Sequence, residues 1–417
     1  MFYRKAQNKI LKGFQNGRIT IINGARQCGK TTLVRQIAKE QNIPYITLDD
    51  TKKLELAKNN AQNFIEFYTP PIVIDEIQYA PELIPYIKQK VDFENKKGMY
   101  LLTGSSDFYK NTKITESLAG RMLHYELFNL SAAEINNYQD NIIDMIFDKD
   151  ISKLINFGKQ IKHPNINDVF QKITVGGFPE LQNLDTEIRK IWFQSYLQSR
   201  ILKDVESFFD INKEHKILDL ITILAANTAN LLNINSIAKT IQLDFKTIKK
   251  YIELLEAMYL IKRIPPYSKN ITKQVIKQRK LHFTDTGLVS YLLNISSKQL
   301  INHETEFIGS LLENYIFTEL AKESSYADNP AKIYHYRDLR KNEIDFILQS
   351  ADNKIVPIEV KTKSEIKPKD ISGILNFAEN FSGKIFRAFV FYSGKELMPM
   401  PNKAGLNIYL IPSHFLV

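Results

Sequence analysis

Residues 18–31, with the sequence RITIINGARQCGKT, decide the fold of the first part of the chain. The segment 18–22 predicts a short buried strand, and the pattern TLVRQIAKE at 32–40 predicts a helix. Between them lies G-x-x-x-x-G-K-T at 24–31, in the strand, loop and helix context that a phosphate-binding loop requires. The glycines allow the backbone N–H groups to turn inward, and the helix points its positive N-terminal end at the bound phosphates. The stretch therefore predicts a phosphate site at the end of a strand in an α/β sheet.

The loop supplies a full set of expected nucleotide contacts. Lys30 is expected to reach the β and γ phosphates of ATP, and the hydroxyl of Thr31 is expected to bind Mg²⁺. A glycine turn with an incidental lysine is the structural alternative. The predicted ATP-binding residues are Gly24, Ala25, Arg26, Gln27, Cys28, Gly29, Lys30, Thr31 and Thr32.

A second apolar run, at 72–76, ends in two carboxylates, Asp75 and Glu76. A buried parallel strand consists of such a run, and its carboxyl end faces the ligand crevice of an α/β sheet. Asp75 is therefore expected to hold Mg²⁺ through water, and Glu76 to polarise the attacking water. The alternative is a strand that simply ends in solvated acids.

Two further segments place polar groups near the predicted ATP site. A third apolar strand is predicted at 99–104 and is followed by Ser105 and Ser106. Either serine could sense the γ phosphate of ATP. A plain turn from strand to loop explains the two serines equally well. Arg121 follows a glycine and is a candidate to stabilise the charge of phosphoryl transfer, often from a neighbouring subunit. A surface salt bridge is the alternative for this arginine.

Length, charge and composition limit the remaining possibilities. A chain of 417 residues predicts two or three domains, and 44% hydrophobic with 24% charged residues indicates a folded chain. The formal charge of +10 favours a polyanionic partner such as nucleic acid, although only weakly. The single cysteine, Cys28, excludes an internal disulfide framework and a multi-cysteine zinc site, so we expect a cytoplasmic setting. Neither a secretion signal nor a membrane span is expected.

These motifs resemble the bacterial and archaeal AAA-type P-loop ATPases that carry a C-terminal domain of uncharacterised function. The resemblance implies ATP and Mg²⁺ as cofactors, with Lys30, Thr31, Asp75 and Glu76 at the ATP site. It also strengthens Arg121 as a residue that acts on a neighbouring subunit, which implies a homo-oligomer. It gives Cys28 no redox role. The motifs that carry it are GARQCGKTTL at 24–33, VIDEIQYAPEL at 73–83, LLTGSS at 101–106, SLAGR at 117–121, LSAAE at 130–134, GGFPE at 176–180 and WFQSYLQSRILKDV at 192–205.

The middle of the chain is predicted to be helical and to contain a helix-turn-helix. A short helix at 235–240 is followed by a turn at 241–244, and a second helix begins after Asp244, a plausible N-cap. Its apolar residues are spaced three or four apart, at Phe245, Ile248, Ile252 and Leu255. Its outward residues, which would face a nucleic-acid groove or its phosphates, are Lys246, Lys249 and Lys250.

The segment that follows, 259–285, is predicted to be a strand-like wing with a basic face. Two hypotheses stay open for this region: nucleic-acid contact, and a structural or partner-binding winged helix. The family resemblance supports the winged-helix shape more strongly than it supports DNA binding. Asp285 and Gly287 are expected to form a turn between a strand and a helix. The basic residues of the wing are Lys262, Arg263, Lys269, Lys273, Lys277, Arg279 and Lys280.

The last third of the chain contains a predicted helix at 304–322, which includes Glu313, and three strand-like segments, KIYHYRD, EIDFILQS and KIVPIEVKTK. Alternate residues of a strand share a face, so Glu359 and Lys361 project together. If the second and third segments form a hairpin, Asp345 joins them. The carboxylates could then bind a divalent metal, and the ammonium could orient water or stabilise the transferred phosphate.

This arrangement resembles the restriction-endonuclease-like nucleases of the PD-(D/E)xK class, although Ile344 stands where the proline of that pattern would be. The resemblance implies Glu313, Asp345 and Glu359 as metal ligands, with Asp345, Glu359 and Lys361 as catalytic residues. Two alternatives stay open: a surface ion pair between Glu359 and Lys361, and a nuclease fold that has lost cleavage.

The combined prediction is an α/β protein of three parts. We expect a P-loop AAA-type ATPase domain at 1–133, a helical and winged-helix domain at 134–297, and a restriction-endonuclease-like α/β domain at 298–417. The first functional hypothesis is an ATP-regulated, metal-dependent nuclease that acts on DNA. The alternative is a non-cleaving, ATP-switched protein that docks DNA or protein.

Overall fold

The strand predicted at 18–22 belongs to a five-stranded sheet in the computed structural model. All four strand pairs are parallel, and the strand order is β2-β3-β4-β1-β5. Parallel strands are buried on both faces, and every residue of the first, third and fourth strands is buried. The strands are β1 Ile19–Asn23, β2 Tyr45–Thr47, β3 Ile72–Asp75, β4 Tyr100–Gly104 and β5 Met122–Glu126.

The apolar residues of the helices in this part pack against alternate residues of the strands, which share one face of the sheet. Ile19 and Ile21 of β1 belong to the same buried cluster as Phe64 and Ile87, which lie on two of the helices. The helix after β1 begins at Lys30 because Gly29 adopts φ 99°, a conformation that costs glycine little. The helices are Ala6–Asn16, Lys30–Glu40, Thr51–Asn59, Ala61–Phe67 and Leu83–Glu94, with a 3₁₀ turn at Ile77–Tyr79.

The structure describes residues 2–104, 118–161, 165–206, 214–268, 278–402 and 404–416. In this part of the chain, no helix is long and apolar enough to cross a membrane. The chain divides into two compact units, Met1–Leu130 with Leu254–Leu260, and Ser131–Glu253 with Ile261–Val417. The first unit ends close to the expected boundary at 133. The second unit contains most of the predicted domain 134–297 and all of the domain 298–417, so their boundary at 297 stays a prediction.

The second unit is helical up to the winged-helix region, as expected. Its longest helix, Ile308–Tyr326, begins and ends four residues later than the helix predicted at 304–322, and continues until the chain approaches Pro330. The helices are Ala132–Ile135, Ile142–Phe147, Ser152–Gln160, Ile166–Val175, Thr186–Tyr196, Lys203–Glu206, Glu214–Ala226, Ile234–Ile241, Phe245–Ala257, Thr286–Leu292, Ser297–Ile301, Ile308–Tyr326 and Ser372–Phe381. A π-helical turn lies at Leu197–Leu202, and 3₁₀ turns lie at Pro179–Asn183, Pro368–Ile371, Ser382–Lys384 and Ser413–Leu416.

Two helices joined by a short turn, Ile234–Ile241 and Phe245–Ala257, and a small antiparallel sheet lie in the region predicted as a winged helix. Asp244 caps the second helix, because its Oδ1 accepts a hydrogen bond from the backbone N of Thr247 at 2.9 Å, which confirms the predicted cap. The wing strands β6 Asn230–Leu231, β7 Ile261–Ile264 and β8 Lys280–Phe283 form an antiparallel sheet in the order β6-β8-β7. The predicted basic residues Lys269, Lys273 and Lys277 lie outside the described residues.

A six-stranded mixed sheet forms the C-terminal part, in the order β13-β14-β12-β11-β10-β9. β10 and β11 form an antiparallel pair, which confirms the predicted hairpin. The pairing register between β10 and β9 shifts between Ile344 and Ile347, the segment of β10 that contains Asp345. The strands are β9 Lys332–Arg337, β10 Glu343–Gln349, β11 Ile355–Val360, β12 Ala388–Tyr392, β13 Met398–Pro399 and β14 Ile408–Pro412.

A buried histidine near the C-terminus makes the stability of the second unit depend on pH. His414 is 2% exposed, and among the described residues its Nε2 has no hydrogen-bond partner. Burial, assisted by the Lys172 ammonium, lowers the pKa of His414 to about 4. Because this is below the pKa of about 6.5 in an unfolded chain, its contribution is complete above pH 6.5 and is lost as the pH falls towards 4.

We therefore expect His414→Phe to reduce the loss of unfolding free energy between pH 6.5 and pH 4 by up to about 3 kcal/mol. Urea denaturation at several pH values, followed by the fluorescence of Trp192, measures this difference. His303→Asn is the control, because His303 is exposed. An unchanged pH dependence in His414→Phe would show that the buried imidazole is not responsible.

Candidate functional site

The phosphate-binding loop is folded around the side chain of Lys30. The Lys30 Nζ donates hydrogen bonds to the carbonyl oxygens of Gly24 at 2.9 Å and Ala25 at 2.8 Å, and the side chain is buried. A Cβ atom at Gly24 would lie 2.1 Å from the carbonyl oxygen of Leu127, so only glycine fits at this crossing of the backbone. The loop thus places the lysine that was predicted to bind phosphate inside its own turn.

Arg4 holds the loop in place and is not indicated by any sequence motif. Its Nη1 donates to the carbonyl oxygen of Cys28 at 2.8 Å, and its Nη2 donates to that of Phe128 at 2.6 Å. The side chain is buried, with 6% of the residue exposed. One guanidinium therefore joins the phosphate loop to the segment that follows β5.

Asp75 lies at the carboxyl end of β3 and is completely buried. The hydroxyl of Tyr45 on β2 donates to Asp75 Oδ2 at 2.7 Å, and the hydroxyl of Thr103 on β4 donates to Asp75 Oδ1. Burial and the bond to Asp75 raise the pKa of Tyr45 to about 12, so the phenol keeps its proton at neutral pH. Each carboxylate oxygen is therefore held by a neutral donor from a neighbouring strand.

Glu76 follows directly and has a φ of 59°. Its backbone N donates to Thr103 Oγ1 at 3.1 Å, and the side-chain amide of Gln78 donates to its Oε2. The predicted general base is therefore tied to the same threonine as Asp75. Thr103 and Tyr45 are functional candidates that the sequence motifs did not identify.

The donor set of this site fits Mg²⁺. A hydroxyl from Thr31 and a carboxylate from Asp75 are hard oxygen ligands, which Mg²⁺ prefers together with phosphate oxygens and water. The buried Asp75 is held in a fixed orientation by its two hydroxyl donors. Thr31 and Asp75 are the residues that would hold the ion in a complex with ATP.

Arg121 is bound to an acid of its own chain. Its Nε lies 2.6 Å from Asp92 Oδ1 and its Nη2 lies 2.9 Å from Asp92 Oδ2, a bidentate ion pair that raises the pKa of the guanidinium. This geometry matches the surface salt bridge that was the alternative interpretation. Action of Arg121 on a neighbouring subunit, and the homo-oligomer that it implies, stay predictions. Ser105 and Ser106 lie outside the described residues.

The four predicted C-terminal site residues are brought together, with one residue that was not assigned to the site. Lys361 Nζ lies 2.6 Å from Glu359 Oε2, and Asp345 Oδ2 accepts a hydrogen bond from the backbone N of Val360 at 2.8 Å. Lys280 of the wing strand β8 enters the same cluster. Its Nζ lies 2.5 Å from Glu313 Oε1 and 3.5 Å from Asp345 Oδ1.

Burial dominates the acid–base behaviour of this carboxylate cluster, which we define as Glu313, Asp345 and Glu359. Burial and the nearby Asp345 carboxylate raise the pKa of Glu313 and of Glu359 to about 8 each, although Lys280 and Lys361 oppose the shift. Burial lowers the pKa of Lys280, but Glu313 and Asp345 outweigh this effect and raise it above its ordinary value. Each acid of the cluster is thus compensated by an ammonium, a proton or a backbone N–H.

The carboxylate cluster does not fit Mg²⁺ in this arrangement. Among the described residues, no group of three or more His, Cys, Asp or Glu side chains is placed to hold a metal ion. The ammonium of Lys280 takes the position between Glu313 and Asp345 where a shared cation would be expected. Lys280 contacts Glu313 and Asp345, and Lys361 contacts Glu359, so the metal-ligand roles of these three acids stay predictions.

The fold and the first site together define a P-loop ATPase domain. Residues 16–136 match the family model described as an AAA domain. Residues 166–299 match a domain of unknown function, DUF8612, and residues 308–415 match another, DUF4143. Neither description names an activity, so cleavage by the C-terminal part rests on resemblance alone.

The alignments with similar proteins cover most of the chain. The uncharacterised protein MJ1637 of Methanocaldococcus jannaschii is 27% identical over 394 residues, covering 86% of this chain and 79% of its own length. The uncharacterised protein Rv2008c of Mycobacterium tuberculosis is 22% identical over 348 residues, covering 83% and 71%. The Walker-type ATPase PABY2304 of Pyrococcus abyssi aligns with 70% of this chain and 96% of its own, at 14% identity and a TM-score of 0.44. A structural similarity this low supports no inference about function.

Proposed function

We propose that the first unit binds ATP with Mg²⁺ and hydrolyses it. The observation that carries the proposal is the buried Asp75 carboxylate, held at the end of β3 by hydroxyls of Tyr45 and Thr103 while Lys30 begins the helix after β1. These hydroxyls fix the carboxylate without neutralising it. A fixed, charged carboxylate at the carboxyl edge of a parallel sheet suits a metal-bound nucleotide.

The residues of the phosphate loop and of the end of β3 have different roles in the proposed hydrolysis. Bound Mg²⁺ supplies charge neutralisation on the β and γ phosphates. Lys30 exchanges the carbonyl oxygens of Gly24 and Ala25 for phosphate oxygens, which frees the loop to surround the phosphates. After its carboxylate separates from the Gln78 amide, Glu76 accepts a proton from water. The water oxygen then bonds to the γ phosphorus as the bond to the bridging oxygen breaks and that oxygen leaves with ADP.

We expect Lys30→Ala to lower the rate of ATP hydrolysis by at least about 100-fold, because the transferred phosphate loses its main cationic contact. Glu76→Gln is expected to cause a similar loss of rate while ATP binding is retained. Phosphate release and equilibrium binding of a labelled ATP measure the two effects. Lys39→Ala is the control, because Lys39 is exposed at the far end of the same helix. Hydrolysis that persists in Lys30→Ala would contradict the assigned site.

A second candidate function is DNA binding by the winged helix. Lys246, Lys249 and Lys250 are all exposed on the second helix of the helix-turn-helix, and the Lys249 ammonium lies 3.9 Å from Glu253. Exposed lysines on this helix are positioned to neutralise phosphates of a duplex. Binding without cleavage, switched by ATP, agrees best with a carboxylate cluster that is already neutralised by lysines.

Replacement of Lys246, Lys249 and Lys250 by Ala tests this candidate. The slope of log affinity for duplex DNA against log salt is expected to become shallower by up to about 3, since each phosphate contact contributes about 0.9. Fluorescence anisotropy with a labelled duplex between low and moderate salt gives the slope. Replacement of the exposed Lys369, Lys384 and Lys395 by Ala removes the same charge elsewhere and is the matched control. An equal change in both triple variants would show that only net charge matters.

A further inference from the structure

Lys280 is a buried cation that contacts the carboxylate cluster. It is 8% exposed and its ammonium contacts acids from two different elements, Glu313 on the long helix and Asp345 on β10. A buried ammonium is costly unless it is paired, and a buried acid without a cation is equally costly. Lys280 and the acids therefore stabilise one another.

The fold fixes the position of Lys280 through its own strand. Asn314, the residue after Glu313, accepts a hydrogen bond from the backbone N of Phe283 at 2.8 Å and donates one to the Phe283 carbonyl oxygen at 3.2 Å. Asn314 also accepts a hydrogen bond from the Thr228 hydroxyl at 2.8 Å. The end of β8 is thus attached to the helix that carries Glu313. Lys280 is the first residue of the same short strand, so this attachment fixes the position of its ammonium beside Glu313 and Asp345.

We infer that Lys280 is a built-in cation that occupies the place of a divalent metal between Glu313 and Asp345. The wild-type cluster is then closed to Mg²⁺ and Mn²⁺, and the C-terminal part is not a metal-dependent nuclease in this arrangement. The inference does not depend on ATP hydrolysis by the first unit. It predicts that removal of the Lys280 ammonium exposes a metal site made of the acids that the lysine now neutralises.

Binding of Mn²⁺ to the nucleotide-free protein, counted by electron paramagnetic resonance, tests this inference. Every variant in this experiment also carries Asp75→Asn, so that the first unit does not contribute a Mn²⁺ site. We expect Lys280→Met to bind one Mn²⁺ at least about 10-fold more tightly than the chain that retains Lys280, and Asp345→Asn to abolish that gain. Mn²⁺ is also expected to raise the melting temperature of Lys280→Met more than that of the parent chain.

Two results would overturn the inference. The first is Mn²⁺ binding by the chain that retains Lys280 when that binding is lost in Asp345→Asn, a result that does not require Lys280→Met to fold. The second is a folded Lys280→Met chain that gains no Mn²⁺ binding. Lys395→Met is the matched control, because it removes an exposed lysine from the same part of the chain and should change neither quantity.

A second inference rests on a different place in the second unit, a cleft of about 580 Å³ between four helices. The helix Thr186–Tyr196 lines it with residues spaced by three and four, including Arg189, Lys190 and Phe193. Such a spacing defines one face of a helix. Arg189 on this face is partly buried and Lys190 is exposed, so the face presents two cations to a ligand in the cleft.

The other residues that line the cleft contribute a further positive charge and aromatic rings. Lys298 contributes a third cation from the helix Ser297–Ile301, and within the described part of the chain none of the lining residues is Asp or Glu. Tyr291 stacks on Phe193 with ring centroids 5.4 Å apart and also lines the cleft. Three cations beside an aromatic pair favour an anion that carries a planar group.

Gly287 lines this cleft, and Asp285, which was predicted to form a turn with it, holds the backbone just after it. Asp285 Oδ2 accepts a hydrogen bond from the backbone N of Gly177 at 2.8 Å, and its Oδ1 caps the next helix at Leu288 N. A Cβ atom at Gly287 would lie 2.4 Å from the Val175 carbonyl oxygen, so the two helix ends approach closely only with glycine. The wall is therefore rigid, which lowers the entropic cost of binding a ligand.

We propose that this cleft binds a small organic phosphate of nucleotide size, with Arg189, Lys190 and Lys298 on the phosphate. The test uses AMP as the probe and Lys30→Ala as the background, so that the phosphate loop of the first unit is disabled. Trp192, the only tryptophan of the chain, precedes Phe193 and reports binding through its fluorescence. We expect AMP to bind and adenosine, which lacks the phosphate, to bind at least about 10-fold more weakly.

The double substitution Arg189→Gln with Lys190→Gln is expected to weaken AMP binding at least about 10-fold, and Lys395→Gln to leave it unchanged. Lys298→Gln, on an exposed position of another helix, should weaken it as well and serves if the double variant does not fold. Equal binding of AMP to the parent and to both cleft variants would overturn the proposal. Failure of AMP to bind the parent at about 1 mM would also overturn it.

Discussion

The carboxylate of Asp75 is the group on which the nucleotide site depends. Burial of an ionised carboxylate costs several kcal/mol unless hydrogen bonds compensate it, and here two hydroxyls do so. Tyr45 lies on β2 and Thr103 on β4, and the strand order β2-β3-β4 places both beside β3. The parallel sheet is therefore needed to assemble the site as well as to form the core. Thr103 also receives the backbone N of Glu76, so one threonine orients both acids.

The two sites of the protein compensate their buried acids in opposite ways. Hydroxyl donors orient Asp75 and leave its negative charge available to a cation. In the carboxylate cluster, the ammoniums of Lys280 and Lys361 contact the acids directly. The first arrangement suits a metal-bound nucleotide, whereas the second leaves little attraction for a metal ion. This contrast supports a protein in which nucleotide chemistry belongs to the first unit and the C-terminal sheet serves another purpose.

The contiguous motifs could be predicted from the sequence because each is complete within one strand, loop and helix. The phosphate loop at 24–31, the acids after β3, the hairpin of β10 and β11 and the cap at Asp244 all depend on neighbouring residues. Contacts between distant segments could not be predicted in this way. Arg4 reaches a carbonyl 124 residues away, and Lys280 reaches Asp345 across 65 residues. Lysine and arginine are mostly exposed residues, so their sequence pattern carries no sign that these two are buried.

A crystal structure of the protein with Mg²⁺ and a non-hydrolysable ATP analogue tests the central claim most directly. The account predicts that the Lys30 ammonium leaves the carbonyl oxygens of Gly24 and Ala25 and contacts the β and γ phosphates, with Mg²⁺ between the Thr31 hydroxyl and Asp75. It also predicts that Asp75 keeps its bond to Thr103. Nucleotide bound elsewhere, or a Lys30 side chain that stays on its own loop in the complex, would contradict the account.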